Sequence, residues 1–542
     1  MIKQEISYLL KQALEQIPLE NKDISTEVFK GKFGDYSTNL AFKLAEANNS
    51  KDTSEIAKKI VAEIKNNNLF EKVEIAAQGF INFYLSPEFL QKELQIITEK
   101  KESFSRLEIN KGKSARVEYI SANPTGPLHL GNARGGPLGD TLANVLAESG
   151  YQVLREYVHN DIGGQVERLG RSLFHYIKIE QNVQSELQED DYKGEYVKEL
   201  AKEASKKIAL EKLANEEEAV RALSDFALNK LFDENLLVVE GLGIEIDKIF
   251  NESDFLISGE TEKVIKKLQA LGLTQEKEGA VWFAPNDDYL EDREAVLVKS
   301  DGKPTYFAND IAYHNLKFKD KPDLVIDIFG SNHHGHVPKL QAAISALGYD
   351  LAKFRVILYQ YVRLKKGEAV VKMAKRTGDY VTAEEVLKEV GKDAFRFFLL
   401  QRSPETHMDF DLELAKKESD DNPVYYIQYA YARMSSLIAK ENREKAVKVD
   451  LKLIKEDQEL ELIKKLIELP ELVETISKNF AVHQLTNYAL ELADCFNRFY
   501  EACRVISEDK EMTDSRLNLV SAAKITLGNT LRLLGISAPE RM

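Results

Sequence analysis

The chain has 542 residues, 43% of them hydrophobic and 30% charged, so it is long enough to form several domains with separate cores. Its net charge of −15 argues against a protein that grips nucleic acid through a uniform basic surface, so any RNA contact must come from local patches. No apolar run reaches the roughly 18 residues of a membrane span. We therefore expect a soluble cytoplasmic protein without a structural metal, in which Cys495 and Cys503 are buried thiols.

The first part of the chain alternates between helix-period and strand-like patterns. The segments KVEIAA and GFINFYL are strand-like, and Ser86 and Pro87 close the second. An amphipathic helix comes before them, with one apolar face formed by Ile2, Ile6, Leu9, Leu10, Ala13, Leu14 and Ile17. These patterns predict a small α/β domain over residues 1–105.

Strand and helix patterns then alternate as in a parallel sheet over residues 106–383. A charged and mostly helical insertion occupies about 166–290, and the strand signal returns at AVLVKSD, DLVIDIFG and FRVILYQYVRL. From about 384 to 542 the strand signal disappears and apolar residues recur at helical spacing. The predicted fold class is therefore multidomain α/β: a Rossmann-like parallel sheet with a helical insertion, the small N-terminal domain and an all-α C-terminal bundle.

A loop rich in proline and glycine, NPTGPLHLGN, follows the strand VEYIS and leads into a helix. It places His129, Gly131 and Asn132 at a helix N-terminus, where free N–H groups attract anions and the imidazole can donate a hydrogen bond to phosphate. ATP would fit such a site. Alone, a motif of this kind is more often a plain turn between a strand and a helix.

A second motif, VKMAKRTGD, lies about 240 residues later and has three cations on a loop that ends in glycine. Lys372 and Lys375 could neutralise the charge of a polyphosphate, and Met373 lies between them. Taken alone, a basic loop is usually a solvated turn.

Together and in this order, the two motifs resemble the HIGH and KMSKR signatures of class I aminoacyl-tRNA synthetases. Asn132 stands where the first signature has its last histidine, and Ala374 where the second has serine. Longer segments resemble the arginyl-tRNA synthetases in particular: VEYISANPTGPLHLGNARGG, KSDGKPTYFANDIAYH, GSNHHGHVPKL, DNPVYYIQYAYAR and SAPERM. The resemblance spans nearly the whole chain.

The resemblance implies ATP-dependent attachment of L-arginine to tRNA(Arg) through arginyl-adenylate, with release of AMP and pyrophosphate. ATP and Mg²⁺ would be required, and we expect a monomer. The same resemblance assigns phosphate and ATP contacts to the two motifs and to His333 and His336.

A substrate guanidinium offers five N–H donors in a rigid fork and calls for carboxylates in matching positions. Glu118 lies on the strand before the first motif, and Tyr306 and Asp310 are four residues apart on one helix face. The resemblance implies that these residues and Asn123 bind arginine. Asn160 and Gln165 receive little weight. Without the resemblance, Glu118 would be read as an edge-strand acid and Asp310 as a helix-surface acid.

Two other functions stay open at this stage. The histidines at 333, 334 and 336 follow a strand, and with Asp310 and His314 they could form a metal-dependent hydrolase site. A non-catalytic RNA-binding relative would keep the fold without the reaction.

Contacts with tRNA are expected at both ends of the chain. Tyr425, Tyr429 and Arg433 lie on one predicted helix of the C-terminal bundle, where aromatic and guanidinium planes could stack on anticodon bases. Such tyrosines more often serve packing. Tyr36 lies in FGDYSTNLAFKLA, which resembles the family's additional N-terminal domain that contacts the outer corner of tRNA.

Overall fold

The computed structural model describes the chain except for residues 20–21, 23, 32, 77–78, 210–214, 286–294, 368, 371–380 and 441–448. The predicted phosphate-binding residues Lys372, Met373 and Lys375, together with Ala374, lie outside the described residues. Within the described part of the chain, no helix is both long and apolar enough to cross a membrane.

The N-terminal segment forms an antiparallel sheet packed with helices, as the sequence predicts. The sheet has the strand order β1-β2-β4-β3, and the first helix buries the predicted apolar face except for the half-buried Leu9. Its elements are α1 Ile2–Gln16, β1 Phe29–Lys30, β2 Tyr36–Thr38, α2 Leu40–Ala47, α3 Thr53–Ile64, β3 Phe70–Ile75 and β4 Ile81–Leu85.

The next part of the chain begins the central sheet and contains three of its strands. Its elements are α4 Pro87–Lys100, β5 Ser114–Glu118, α5 Leu130–Ala133, α6 Gly135–Glu148, β6 Gln152–His159, α7 Gly164–Glu180, α8 Glu195–Lys207, α9 Glu216–Gly241 and β7 Lys248–Asn251.

The chain then completes the central sheet and adds two small ones. Its elements are α10 Glu252–Ile257, α11 Glu260–Ala270, β8 Thr274–Lys277, β9 Ala280–Phe283, β10 Ala295–Val298, α12 Tyr306–Lys319, β11 Leu324–Gly330, α13 Val337–Ala346, β12 Phe354–Tyr359, β13 Val362–Lys366, β14 Ala369–Val370, α14 Ala383–Leu400 and β15 Met408–Asp411.

The C-terminal part is a helical bundle whose core contains both buried cysteines. Its helices are α15 Leu412–Lys416, α16 Pro423–Lys440, α17 Asp457–Leu466, α18 Leu469–Asn479, α19 His483–Ala502 and α20 Lys510–Leu534.

The central sheet is parallel, with the order β12-β11-β5-β6-β7. Helices such as α6 and α12 cover it, and its strands β5 and β11 are mostly buried, as expected inside a parallel sheet. From β5 the chain adds β6 and β7 on one side, and it later adds β11 and β12 on the other, so the strand order switches between β5 and β11. The carboxyl ends of these neighbouring strands therefore form the crevice in which open α/β sheets bind ligands.

Four strand assignments differ from the sequence prediction. AVLV forms β10, which pairs with β9 in a separate antiparallel sheet. In that sheet Glu278 and Gly279 turn the β8–β9 hairpin with positive φ angles of 51° and 75°. VRL belongs to β13, which pairs with β14 and β15. β15 lies beyond residue 384, where no strand was expected, and β7 joins the central sheet from within the predicted helical insertion. These short strands acquire their partners only in the folded chain.

A buried arginine fixes the C-terminal bundle against the central domain. Arg396 of α14 donates to Asp140 Oδ2 of α6 at 2.5 Å and to the Leu534 carbonyl at the end of α20 at 2.9 Å. It also donates to the Leu242 carbonyl at the end of α9 at 3.1 Å. One fully buried side chain therefore joins the sheet domain, the helical insertion and the bundle.

Candidate active site

The first motif places His129 at the N-cap of α5. Its Nδ1 accepts a hydrogen bond from the Asn132 amide at 3.1 Å, so in the neutral ring Nε2 carries the proton. Gly131 lies so close to the imidazole that a Cβ there would be 3.1 Å from the ring. The motif therefore combines a proton-bearing imidazole nitrogen with the N-terminus of a short helix.

Side chains of the insertion hold the loop before His129. Asn235 of α9 accepts from the Leu128 amide at 2.7 Å and donates to the Gly126 carbonyl at 3.2 Å. The hydroxyls of Tyr192 and Tyr196 each donate to Thr125 at 3.0 Å. The insertion therefore supports the motif directly, which the sequence did not predict.

The segment that follows the second motif pairs with the first. The Ala383 amide donates to the Leu128 carbonyl at 2.7 Å, and Thr382 forms an isolated antiparallel bridge with His129. Thr382 also caps α14 reciprocally with Glu385. The chain that follows the basic segment is therefore anchored beside His129, whereas the segment itself lies outside the described residues.

A row of three carboxylates crosses the central sheet at its carboxyl end. Asp327 of β11, Glu118 of β5 and Glu156 of β6 occupy one register position on adjacent strands, and all three are buried. Lys317 of α12 lies over the row, with its Nζ 2.6 Å from both Glu118 Oε2 and Asp327 Oδ1. Arg116 Nε donates to Glu156 Oε1 at 2.7 Å. Glu118 is thus an interior acid at the crevice and not an edge-strand acid.

Asp310 and Tyr306 meet at His336, as their spacing of four residues predicts. His336 Nε2 lies 2.5 Å from Asp310 Oδ2 and 2.9 Å from the Tyr306 hydroxyl. His314 Nδ1 lies 3.1 Å from Asp310 Oδ1, and its Nε2 lies 2.6 Å from Asp327 Oδ2. The predicted arginine-binding acids Asp310 and Glu118 are therefore linked through α12 and β11.

These contacts set the charge of the cluster. Burial alone would raise the pKa of Asp310, but the charges and hydrogen bonds of His314 and His336 outweigh it and hold that pKa well below its usual range. Burial would lower the pKa of His314, yet Asp327 and Asp310 raise it to about 10. Asp310 is therefore a carboxylate and His314 a cation near neutral pH.

The histidine cluster divides between two environments. His336 belongs to the Asp310 and Tyr306 group, whereas His333 stacks on Phe329 with ring centroids 5.2 Å apart. Burial lowers the pKa of His333. The two histidines therefore have different main partners, although their rings also meet edge to face with centroids 6.2 Å apart.

The only side chains among the described residues grouped closely enough to ligate a metal ion are Glu118, His314 and Asp327. The Lys317 ammonium already lies between the two carboxylates, and His314 is protonated in this setting. A metal ligand must be an unprotonated imidazole, so the donor set does not suit a cation. Asp310 and the histidines of the hydrolase alternative do not form such a group among the described residues, so the arrangement disfavours that alternative.

Asn123 is part of a small amide network. Its Nδ2 donates to Gln165 Oε1 at 3.2 Å, and its Oδ1 accepts from Asn160 Nδ2 at 2.9 Å. The chain turns sharply before it, since Ile120 has φ 58°, a conformation that β-branched residues rarely adopt. Asn160 and Gln165, which the sequence left with little weight, thus orient a predicted site residue.

The four predicted tRNA-binding residues have different settings. Tyr36 is only 2% exposed, and its hydroxyl donates to Glu471 of α18 at 3.3 Å, so it joins the N-terminal sheet to the bundle. On α16, Tyr425 and Tyr429 stack with nearly parallel rings, and the Arg433 guanidinium lies 4.8 Å from the Tyr429 ring centroid. It also lies 5.0 Å from the ring of Tyr500 on α19, which the sequence analysis missed.

Lys317 was also missed, although the sequence contains a signal for it. Asp310, His314 and Lys317 have the spacing of one helix face, on a helix whose other residues are mostly apolar. A polar stripe on a buried helix indicates charged groups that satisfy one another. Tyr500 had no comparable signal, because Arg433, which lies over its ring, belongs to another helix.

Glu252 lies at the start of α10, near the Asp310 cluster, and offers a test of the local electrostatics. Burial raises its pKa to about 7, opposed by the hydrogen bond from Asn309 and reinforced by Asp310 and Asp161. A pKa higher in the folded than in the unfolded chain means stability that is present in acid and lost as pH rises through about 7. We expect Glu252→Gln to be more stable than the parent by about 3 kcal/mol at about pH 8 and nearly equal to it at about pH 4.

Urea unfolding of both proteins at several pH values measures this difference. Glu262→Gln is the control, because Glu262 is exposed on the neighbouring helix α11. A stability difference for Glu252→Gln that does not change with pH would contradict the assignment.

Three family models match the chain in succession. "Arginyl tRNA synthetase N terminal domain" matches residues 4–85, "tRNA synthetases class I (R), catalytic domain" matches 93–411, and "DALR anticodon binding domain" matches 427–542. The middle match contains the central sheet, His129 and the carboxylate row. The class defined by fold and site is thus that of the class I aminoacyl-tRNA synthetases.

Individual relatives indicate which family within this class the chain belongs to. "Arginine--tRNA ligase" from Carboxydothermus hydrogenoformans is 42% identical, over 94% of this chain and 92% of that protein. The protein of the same name from Dehalococcoides mccartyi strain BAV1 is 40% identical, over 100% and 99%. The fold is similar to the arginyl-tRNA synthetase structures from Thermus thermophilus (24% identity, TM-score 0.78, all of both chains) and Plasmodium falciparum (20%, 0.76, 100% of this chain and 99% of that one). The chain belongs to the arginyl-tRNA synthetase family.

Proposed function

We propose that the protein joins L-arginine to tRNA(Arg) at the expense of ATP. The observation that carries the proposal is one continuous segment: β5 ends at the buried carboxylate of Glu118 and leads to the His129-capped helix α5. It unites a group suited to a guanidinium with a group suited to phosphate. A metal-dependent hydrolase would not need a phosphate-binding group at this place. A non-catalytic relative would not need to keep both Glu118 and His129.

The proposed arginine pocket lies between β5, β11 and the start of α12. Glu118 and Asp310 supply carboxylates for the guanidinium, the Tyr306 hydroxyl adds a polar contact, and Asn123 is oriented by its amide neighbours. His336 and His314 keep Asp310 ionised. A bound guanidinium would thus meet preformed negative charge, which lowers the cost of ordering the site.

The proposed ATP site is built around α5. Gly131 admits a close approach, and His129 Nε2 and Asn132 contact phosphate. Lys372 and Lys375 offset charge on the departing pyrophosphate, while Met373, His333 and His336 complete the ATP contacts in this proposal. Mg²⁺ would arrive on the ATP phosphates, because it retains waters and commonly binds through substrate phosphates.

In the first step the carboxylate of arginine attacks the α-phosphorus of ATP, forming arginyl-adenylate as the bond to pyrophosphate breaks. In the second, the terminal 2′-hydroxyl of tRNA attacks the arginyl carbonyl carbon, loses its proton and displaces AMP. The protein contributes positioning and charge stabilisation and forms no covalent intermediate.

ATP–pyrophosphate exchange tests the proposal directly. The purified protein is assayed with each amino acid in turn, with and without bulk tRNA. We expect exchange only when arginine and tRNA are both present. Exchange with another amino acid would overturn the pocket assignment, and no exchange with any amino acid and its tRNA would overturn the function.

For tRNA recognition we propose that the anticodon stacks on Tyr425, Tyr429, Arg433 and Tyr500. Tyr429 and Tyr500 are 39% and 38% exposed, so part of each side chain is accessible to the RNA. Asn497 accepts from Arg433 at 2.9 Å and holds the guanidinium in place. The bundle from residue 384 would bind the anticodon end, and the N-terminal domain would bind the outer corner of the tRNA, with Tyr36 serving its interface to the bundle.

Removing this stack should weaken tRNA binding without affecting the small substrates. We expect Tyr429→Ala or Arg433→Ala to raise the KM for tRNA by about 5- to 150-fold, because one stacked base contributes about 1–3 kcal/mol. Aminoacylation at varied tRNA concentration measures this. Arg433→Lys keeps the positive charge but loses the planar guanidinium, so its KM for tRNA should stay close to that of Arg433→Ala. An unchanged KM for tRNA in all three variants would contradict the assignment.

We also propose that the protein works as a cytoplasmic monomer. Light scattering in the absence of tRNA should give the mass of one chain, both with and without arginine and ATP.

A further inference from the structure

Three like charges in one buried row require an explanation. Asp327, Glu118 and Glu156 share a register position on adjacent parallel strands and therefore point to the same face of the sheet. Buried carboxylates at this spacing repel one another and lose hydration. Without a balancing cation, the row would take up protons.

Arg116 pairs with Glu156 and His314 with Asp327, and Lys317 provides the cation that contacts Glu118. It is 0% exposed, with Nζ 2.6 Å from Glu118 Oε2, 2.6 Å from Asp327 Oδ1 and 3.9 Å from Glu156 Oε2. Nζ also lies 4.1 Å from the centroid of the Tyr313 ring, which can stabilise a cation. The carboxylates outweigh burial and raise the pKa of Lys317 above its usual value, so it stays charged. The proposed reaction assigns no role to this residue.

We propose that Lys317 is a positioning residue of the arginine pocket, whose ammonium keeps Glu118 ionised and holds Oε2, leaving Oε1 to the guanidinium of the substrate. This inference rests on the proposed function, because it takes Glu118 as an arginine ligand. The ammonium never touches the substrate. It acts by fixing the charge and direction of the carboxylate that does.

The balance of charges around Glu118 supports this role. Burial raises the pKa of Glu118, Lys317 opposes that rise most strongly, and Asp327 adds to it. An opposite charge this close shifts a carboxyl pKa by about 1–3, so loss of the ammonium would leave Glu118 protonated at a higher pH. The groups that face Glu118 are Tyr306, Tyr313, His314 and Lys317 from α12, Asp327 from β11 and Glu156 from β6.

A purely structural ion pair would behave differently from a positioning residue. Losing a structural pair lowers stability and weakens arginine binding by the same factor at every pH. Losing a residue that keeps Glu118 ionised makes arginine binding depend on pH, because a protonated Glu118 cannot pair with a guanidinium.

The test is the Kd of arginine, measured by calorimetry from about pH 6 to about pH 8.5, for the full chain and for Lys317→Met and Lys317→Arg. We expect Lys317→Met to bind about tenfold or more weakly at the acid end and to approach the parent at the alkaline end. Lys317→Arg keeps a cation and should follow the parent profile. Glu118→Gln should bind weakly at every pH, because it has no group left to titrate.

A second pair of variants keeps the test decisive if Lys317→Met does not fold. Asp327→Asn and Lys317→Met/Asp327→Asn differ only in the ammonium, and the second removes one charge of each sign. The double variant should show the weakening in acid relative to Asp327→Asn. Equal profiles, or weakening by one factor at all pH values, would overturn the inference. If the parent protein itself showed neither arginine binding nor ATP–pyrophosphate exchange, the proposed function would be overturned.

Discussion

Glu118→Gln is expected to raise the KM for arginine by between about thirtyfold and a few thousandfold. Removing one partner of a desolvated, hydrogen-bonded charge pair costs about 2–5 kcal/mol, much of it from leaving the other charge unpaired. The guanidinium of arginine would then retain Asp310 as its carboxylate partner. Lys317 would still contact Asp327 at 2.6 Å, so the fold should survive.

The measurement is tRNA-dependent ATP–pyrophosphate exchange at varied arginine concentration. The KM for ATP should change little, because the proposed phosphate contacts lie around α5. Glu276→Gln, at an exposed position of β8, serves as the matched control and should resemble the parent. A KM for arginine within about twofold of the parent would remove Glu118 from the pocket.

His129→Asn is expected to lower the rate of adenylate formation by about 100- to 1000-fold, the usual effect of losing one donor to charge that develops in the transition state. Asparagine is a favourable N-cap, so this variant keeps an acceptor for the Asn132 amide and loses only the imidazole. The KM for arginine should stay close to that of the parent, which separates phosphate chemistry from amino-acid binding.

Two further variants control for the loss of the cap. His129→Ala removes the imidazole and the cap together, so it should match the rate of His129→Asn and be less stable by about 1 kcal/mol. Asp52→Ala removes the cap of α3, whose side chain accepts from the Glu55 amide, and should lower stability without affecting the exchange rate. If His129→Asn kept the parent rate, the imidazole would have no role beyond capping.

Much of the candidate site could be predicted from local sequence. His129 and Asn132 form a helix N-terminus because a proline- and glycine-rich loop leads into an apolar helix. Tyr306 and Asp310 share a helix face because four residues make about one turn. These relations span few residues, and backbone geometry alone defines them.

The partners of these residues depended on strand order. The sequence identified Glu118 as a strand residue but could not place it opposite Asp327 and Glu156, which lie 209 and 38 positions later. Nor could it indicate that Lys317 neutralises the row. Strand pairing is long-range, and a short strand such as β10 or β15 carries no mark of the sheet that it will join.

The sequence by itself determined the first amphipathic helix and the order of the two motifs, because periodicity and loop chemistry are local properties. Its resemblance to known synthetases indicated the family and implied the candidate arginine ligands. Tertiary structure decided that Tyr36 is an interface residue, with Glu471 as a partner 435 positions away. It also decided that Arg433 lies between Tyr429 and Tyr500. Burial and charge balance depend on side chains brought together from distant elements, and only the packed chain defines them.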